Sequence, residues 1–236
     1  MPTAVVIGVG PGLGMSIARR FGGAGHSVAL VSRSDARHAD YLAELASAGI
    51  ESEAFVADVN DREQVGSVVD AIEAKHGIDV LYYGPGASDV SQPAPITETT
   101  ADEVRASMGV VYAAVDIVGR VLPGMMARGR GGLLFAGGLS AVVPVPSLGA
   151  LAVTSAALRN YALTLNAGLA DTGVYAGTLI IGGLIERGDI HGFVVAHPEM
   201  FGHVPLRTLN PDDIAAAAWE MYAARDRAEE TFSVLS

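Results

Sequence analysis

The chain has 236 residues, half of them hydrophobic, with no cysteine and a formal net charge of −11. That length suits one α/β domain with a sizeable core and is short for two. The acidic balance argues against nucleic acid and anionic membrane surfaces as partners, and the absence of cysteine excludes a disulfide framework, a thiolate nucleophile and a cysteine-held metal.

In chain order, apolar runs of strand length fall at residues 4–7, 28–31, 54–56, 80–83, 133–136, 175–181 and 231–235. Helix-like segments alternate with them at 15–22, 35–48, 62–76, 101–127, 147–170 and 211–228. Strands that are almost continuously apolar, alternating with helices, indicate a parallel sheet covered on both faces. The expected fold is therefore α/β: one Rossmann-like, doubly wound domain over 1–236 with about seven parallel strands. The opening MPTAVVIGVG has no basic n-region and only a short apolar run, so no signal peptide is expected and the cytoplasm is the default location. Residues 131–158 carry no charge, but Pro144 and Pro146 interrupt the run, which argues against a membrane span. Helix 147–170 has Arg159 as its only charge, so burial on more than one side, the second against another subunit, is expected. The long connection 182–209 is expected to be irregular and to serve as a substrate lid.

The strongest motif is VVIGVGPGLGMSIARRF, at the first strand–helix turn. Its glycines, Gly8, Gly10, Gly12 and Gly14, do not fit G-x-G-x-x-G, because Leu13 stands where a third glycine would be needed. Gly8, Gly12 and Gly14 do fit G-x-x-x-G-x-G. The demand is the same in both patterns: a tight turn, close backbone approach to a pyrophosphate, and a free helix N-terminus behind it.

This spacing and its surroundings resemble the short-chain dehydrogenase/reductase family over almost the whole chain. FVADVND matches the end of the family's third strand, which implies that Asp58 meets an adenine amino group with Val59 beside the ring. IDVLYYGPG stands where the family has its N-N-A-G turn, here Tyr83, Gly84, Pro85 and Gly86. RVLPGMMARGRGGLLFAGG matches the run into the fifth strand, and LIIGGLIERGD stands where the family has P-G and a substrate loop. The resemblance implies NAD(H) or NADP(H) as cofactor, held by Gly8, Gly12, Leu13, Gly14, Ser32, Arg33, Asp58, Val59, Gly84 and Leu184. It also implies a homodimer or homotetramer formed through helices 101–127 and 147–170. At the tip of the second strand Ser32 and Arg33 stand where an acidic residue would favour NAD, and arginine's planar fork suits a 2′-phosphate; NADP(H) is favoured over NAD(H).

In the family a tyrosine, aided by a lysine four residues on, gives the proton, a serine holds the substrate oxygen and an asparagine orders a water relay. Counting back from SAALRN, the lysine place is Ser155 and the tyrosine place Leu151; the asparagine place is Val111. The serine place falls near Gly138 or Leu139, with Ser140 close enough to substitute. Lys75 is the only lysine, on the helix before the fourth strand, and no tyrosine has a lysine four residues on. Candidate replacements are Ser140 for the substrate oxygen and a loop histidine, His191 foremost, as proton donor. The loop also carries Glu186, Asp189, His197 and His203, whose spacing makes no known metal pattern. Tyr82 and Tyr83 are expected to pack rather than react. Three readings follow: an atypical NADP(H)-dependent oxidoreductase on a small or medium, largely apolar carbonyl or alcohol; a non-redox cyclase, isomerase or lyase on the same scaffold; or a silent dinucleotide-binding protein.

Overall fold

The computed structural model describes residues 1–86, 93–197 and 207–234. Seven strands form one parallel sheet in the order β3-β2-β1-β4-β5-β6-β9: β1 (Thr3–Ile7), β2 (Ser27–Ser32), β3 (Ser52–Val56), β4 (Val80–Tyr83), β5 (Gly131–Gly138), β6 (Val174–Gly182) and β9 (Glu229–Ser233). β1 is buried along its whole length because both sheet faces are covered. On one face lie α3 (Arg62–His76), α5 (Gly109–Arg128) and α6 (Gly149–Gly168). On the other lie α1 (Leu13–Gly23), α2 (His38–Ser47) and α8 (Pro211–Ala224).

The helix whose limits agree with the sequence reading is the one with a signal at each end. The Asp61 side chain accepts the Gln64 N–H to open α3, and Gly77, at φ +69°, ends it. Where caps are weaker the limits move. α2 starts three residues later than expected, after a turn in which the His38 N–H donates to the Asp35 carbonyl. The expected helix 101–127 is two helices, α4 (Ala101–Ser107), opened by a Thr100–Glu103 capping box, and α5, with Met108 between them. The expected helix 147–170 begins as a 3-10 turn at Pro146–Leu148 and restarts at Gly149, whose φ of +42° excludes a continuous helix there. α8 stops at Ala224 because Arg225 turns left-handed, at φ +55°.

The connection 182–209 is not irregular throughout. It contains β7 (Leu184–Ile185), paired in parallel with β8 (Thr208–Leu209), and helix α7 (Asp189–Ala196). β9 begins two residues earlier than expected, because Glu229 already pairs in register with Thr178 of β6; its side chain also meets Arg159 of α6. Leu235 and His203 lie outside the described residues.

Candidate dinucleotide and active site

Strand tips β1, β4, β5 and β6 share the carboxyl edge of the sheet, where open α/β folds bind ligands. At β1 the glycines are required by the backbone. Gly8 has φ +88°, and a Cβ there would lie 2.5 Å from the Gly84 carbonyl oxygen. A Cβ on Gly14 would lie 2.7 Å from Val9 Cα. A Cβ on Gly10 would meet nothing within 4 Å, in keeping with its place outside the G-x-x-x-G-x-G spacing.

Helix α1 opens at Gly12 with no side-chain cap and no acidic residue in its first turn. The Met15 N–H donates to the Gly10 carbonyl and that of Ser16 to the Gly12 carbonyl. The N–H groups of Leu13 and Gly14 are left without an intrahelical partner, as the first turn of a helix requires. This is the donor set that a pyrophosphate takes. The residues present therefore fit a dinucleotide at this turn.

Around it, Ser32 Oγ donates to the Ser34 carbonyl at 2.9 Å and lies 2.7 Å from His38 Nε2. Arg33 is exposed at the strand tip and has no ion-pair partner among the described residues. Asp58 Oδ1 accepts from the Asn60 backbone and side-chain N–H groups at 2.9 and 3.1 Å, and Val59 is buried beside it. Gly84 donates to the Ile7 carbonyl, which locks the β4 tip against β1. Leu184, on β7, is half-buried.

At β5 the strand ends in Gly138 and a 3-10 turn, Leu139–Ala141, that carries Ser140. A Cβ on Gly138 would lie 3.4 Å from Ser155 Oγ and 3.5 Å from Ser140 Oγ, so two hydroxyls from different elements flank the tip. Thr154, next to Ser155 on α6, donates to the Ala150 carbonyl, and its Oγ1 lies 2.7 Å from Ser107 Oγ at the end of α4. Leu151 is 39% exposed, and Val142 and Val143 are similarly open on the neighbouring turn. Lys75 is spent elsewhere, on Glu53 at 2.7 Å.

Just after the α4–α5 break, the Tyr83 hydroxyl donates to the Val110 carbonyl in the first turn of α5, at 2.6 Å. Burial pushes the Tyr82 and Tyr83 phenols well above the ordinary range, so both are neutral packing groups, as expected of strand tyrosines. Val111, the expected asparagine place, is buried just beyond the break. His191 lies half-buried in the first turn of α7, while His197 stacks on Phe193 and its Nδ1 lies 2.9 Å from that residue's carbonyl oxygen.

Sequence reasoning missed the ion pairs that fix the segment after β6. Arg37 makes a two-pronged contact with Asp189 at 2.9 and 2.8 Å, and Arg187 Nη2 lies 2.7 Å from Asp212. Burial opposes ionisation of Asp212, but hydrogen bonds from Ser16, Arg187 and Arg19 outweigh it and hold the carboxyl at about 2. No sequence signal could have joined partners 152 residues apart.

Residues 2–186 match the short chain dehydrogenase family. The chain belongs to that family. Among curated short-chain relatives, 1-deoxy-11-beta-hydroxypentalenate dehydrogenase of Streptomyces exfoliatus is 29% identical over 222 residues, 92% of this chain and 78% of that protein. A very-long-chain 3-oxoacyl-CoA reductase of Coprinopsis cinerea is 30% identical over 169 residues, 69% of this chain and 48% of its own. The chain spans about half the length of several curated relatives it matches. Two solved structures share the fold. L-sorbose reductase of Gluconobacter frateurii, complexed with NADPH and L-sorbose, has a TM-score of 0.80 at 24% identity, covering 99% of this chain and 94% of that one. A short chain oxidoreductase of Pseudomonas aeruginosa PAO1 containing an atypical catalytic center has a TM-score of 0.82 at 21% identity, covering 100% and 97%.

Proposed function

We propose that the protein is an NADP(H)-dependent oxidoreductase that acts on a small or medium, largely apolar carbonyl or alcohol and uses a non-standard proton donor. The observation that carries this reading is the β1–α1 turn, with its uncapped N–H groups of Leu13 and Gly14, together with the exposed Arg33 at the next strand tip, which has no ion-pair partner among the described residues. The dinucleotide would give or take the hydride. Arg33 matches a 2′-phosphate in charge and shape, which favours NADP(H) over NAD(H). NADP is also what several neighbouring structures contain.

Leu151 and Ser155 stand in the tyrosine and lysine places, so the substrate oxygen falls to the hydroxyls of Ser140 and Ser155. The proton then comes from a group outside α6, and His191 on α7 is the candidate, since an imidazole nitrogen can carry and hand over a proton. The Pseudomonas aeruginosa oxidoreductase is a precedent within the fold for an atypical center. Exposed Val142, Val143, Leu151 and Ile190 offer apolar surface for substrate. The same four residues favour a second reading, a non-redox cyclase, isomerase or lyase that only orients its substrate. We also propose a cytoplasmic homodimer or homotetramer. The exposed Tyr112, Val115 and Met126 of α5 and Val153 of α6 form the apolar faces that another copy would cover.

Fluorescence titration with NADPH and NADH tests the core of the proposal. Low-micromolar NADPH binding, weakened about tenfold by Arg33→Ala while NADH is unaffected, supports it; no binding of either nucleotide at millimolar concentration refutes it. With NADPH bound, substrate-dependent NADPH consumption selects the oxidoreductase, and conversion of substrate with the nucleotide unchanged selects the second reading.

A further inference from the structure

Gly12 sits where a phosphate-binding turn needs a bare backbone so that pyrophosphate can approach. In this structure protein fills that approach. A Cβ on Gly12 would lie 3.1 Å from the Glu186 carbonyl oxygen and equally close to the backbone N and Cα of Gly188. Residues 186–189 thus cross the mouth of α1, where Leu13 and Gly14 present their N–H groups.

The crossing is tied on both sides. Arg187 reaches Asp212 of α8 at 2.7 Å and Ser16 of α1 at 3.3 Å. Asp212 in turn accepts from Ser16 at 2.6 Å and from Arg19 at 3.2 Å. Asp189 takes the fork of Arg37 from the β2–α2 connection. At the near end the Glu186 N–H donates to the Leu209 carbonyl, and its side chain accepts from Thr208 at 2.7 Å. Arg187 makes its contacts from a left-handed backbone, at φ +65°, which a non-glycine residue holds only against local strain.

We propose that residues 186–189 are a strap that fills the pyrophosphate's place in the nucleotide-free protein. A dinucleotide enters by displacing it, and Arg187 exchanges the Asp212 carboxylate for phosphate. This rests on the dinucleotide reading above. The charges suit an exchange. Both ion pairs are about half exposed and hold weakly against solvent, whereas a phosphate offers a guanidinium charge-assisted hydrogen bonds. Displacement also releases the left-handed turn at Arg187.

The test needs no catalytic assay. In nucleotide-free protein, hydrogen exchange at the Glu186 and Gly188 amides is compared among wild type, Asp212→Asn and Asp189→Asn. Each variant is expected to exchange faster at these amides and to bind NADPH roughly two- to fivefold more tightly, because less of the protein is held closed. Asp189 lies at the exposed head of α7, so Asp189→Asn keeps the test alive if Asp212→Asn, which ties α8 to α1, fails to fold. Unchanged exchange in the folded variants overturns the strap. Faster exchange without tighter NADPH binding also overturns it, and leaves the dinucleotide reading standing. Failure of wild type and variants alike to bind any dinucleotide removes that reading and the strap's role together.

Discussion

The tips of β1 and β5 lie on one edge of the sheet, with β4 between them, and are built by opposite means. At β1 the backbone is the device: Gly8 and Gly14 leave no space for a Cβ, and the groups offered to a ligand are N–H donors that every residue type carries. At β5 the device is side chains. A Cβ on Gly137 would meet nothing within 4 Å, and one on Gly138 would make only ordinary contacts with two hydroxyls. Identities can change at β5 without disturbing the fold, whereas Gly8 and Gly14 of the β1 turn cannot change without rebuilding it. A family whose members share a nucleotide site and differ in chemistry can be made from such a pair of tips.

Substitutions at the two tips break or sharpen this contrast. Gly8→Ala should have the largest effect, because it meets both a left-handed φ and the Gly84 carbonyl at 2.5 Å. A loss of more than about 4 kcal/mol is expected, seen as insoluble protein or a collapsed thermal transition. Survival of the fold within 1 kcal/mol of wild type would show that the turn relaxes and that the contrast is false. Tyr83→Phe lies between the two tips in position and in effect. It removes the buried hydroxyl's hydrogen bond to the Val110 carbonyl and should cost about 0.5–1.5 kcal/mol, a fall in Tm of roughly 1–6 °C by calorimetry. At the small end, Gly10→Ala and Ser155→Ala should each stay within about 0.5 kcal/mol in chemical denaturation. A large loss at Ser155 would mean that the β5 tip is as constrained as β1.

What the sequence made legible follows the same division. The strands were readable because a sheet buried on both faces writes uninterrupted apolar runs, and α3 because Asp61 and Gly77 mark its ends. The glycine turn was readable because its constraint is local. The break at Met108 was not, because no proline or glycine pair marks it and the Tyr83 bond to the Val110 carbonyl just beyond it comes from a distant strand. The approach of Ser155 and Ser140 to Gly138 could be counted only to within a residue or two, since it depends on how α6 restarts at Gly149. The clasps Arg37–Asp189 and Arg187–Asp212 were invisible: each joins charges that, along the chain, look like ordinary solvated residues.

The strand order also bears on how the chain assembles. β1 lies inside the sheet; β2 and β3 add outward on one side, then β4, β5, β6 and β9 on the other. A chain emerging from its N-terminus therefore never has to insert a strand between two that are already paired. Each new strand docks on an open edge, and β9 finishes the second side, tied to α6 through Arg159 and Glu229. The sheet can grow during synthesis, but its final edge is closed only when residues 229–233 have left the ribosome.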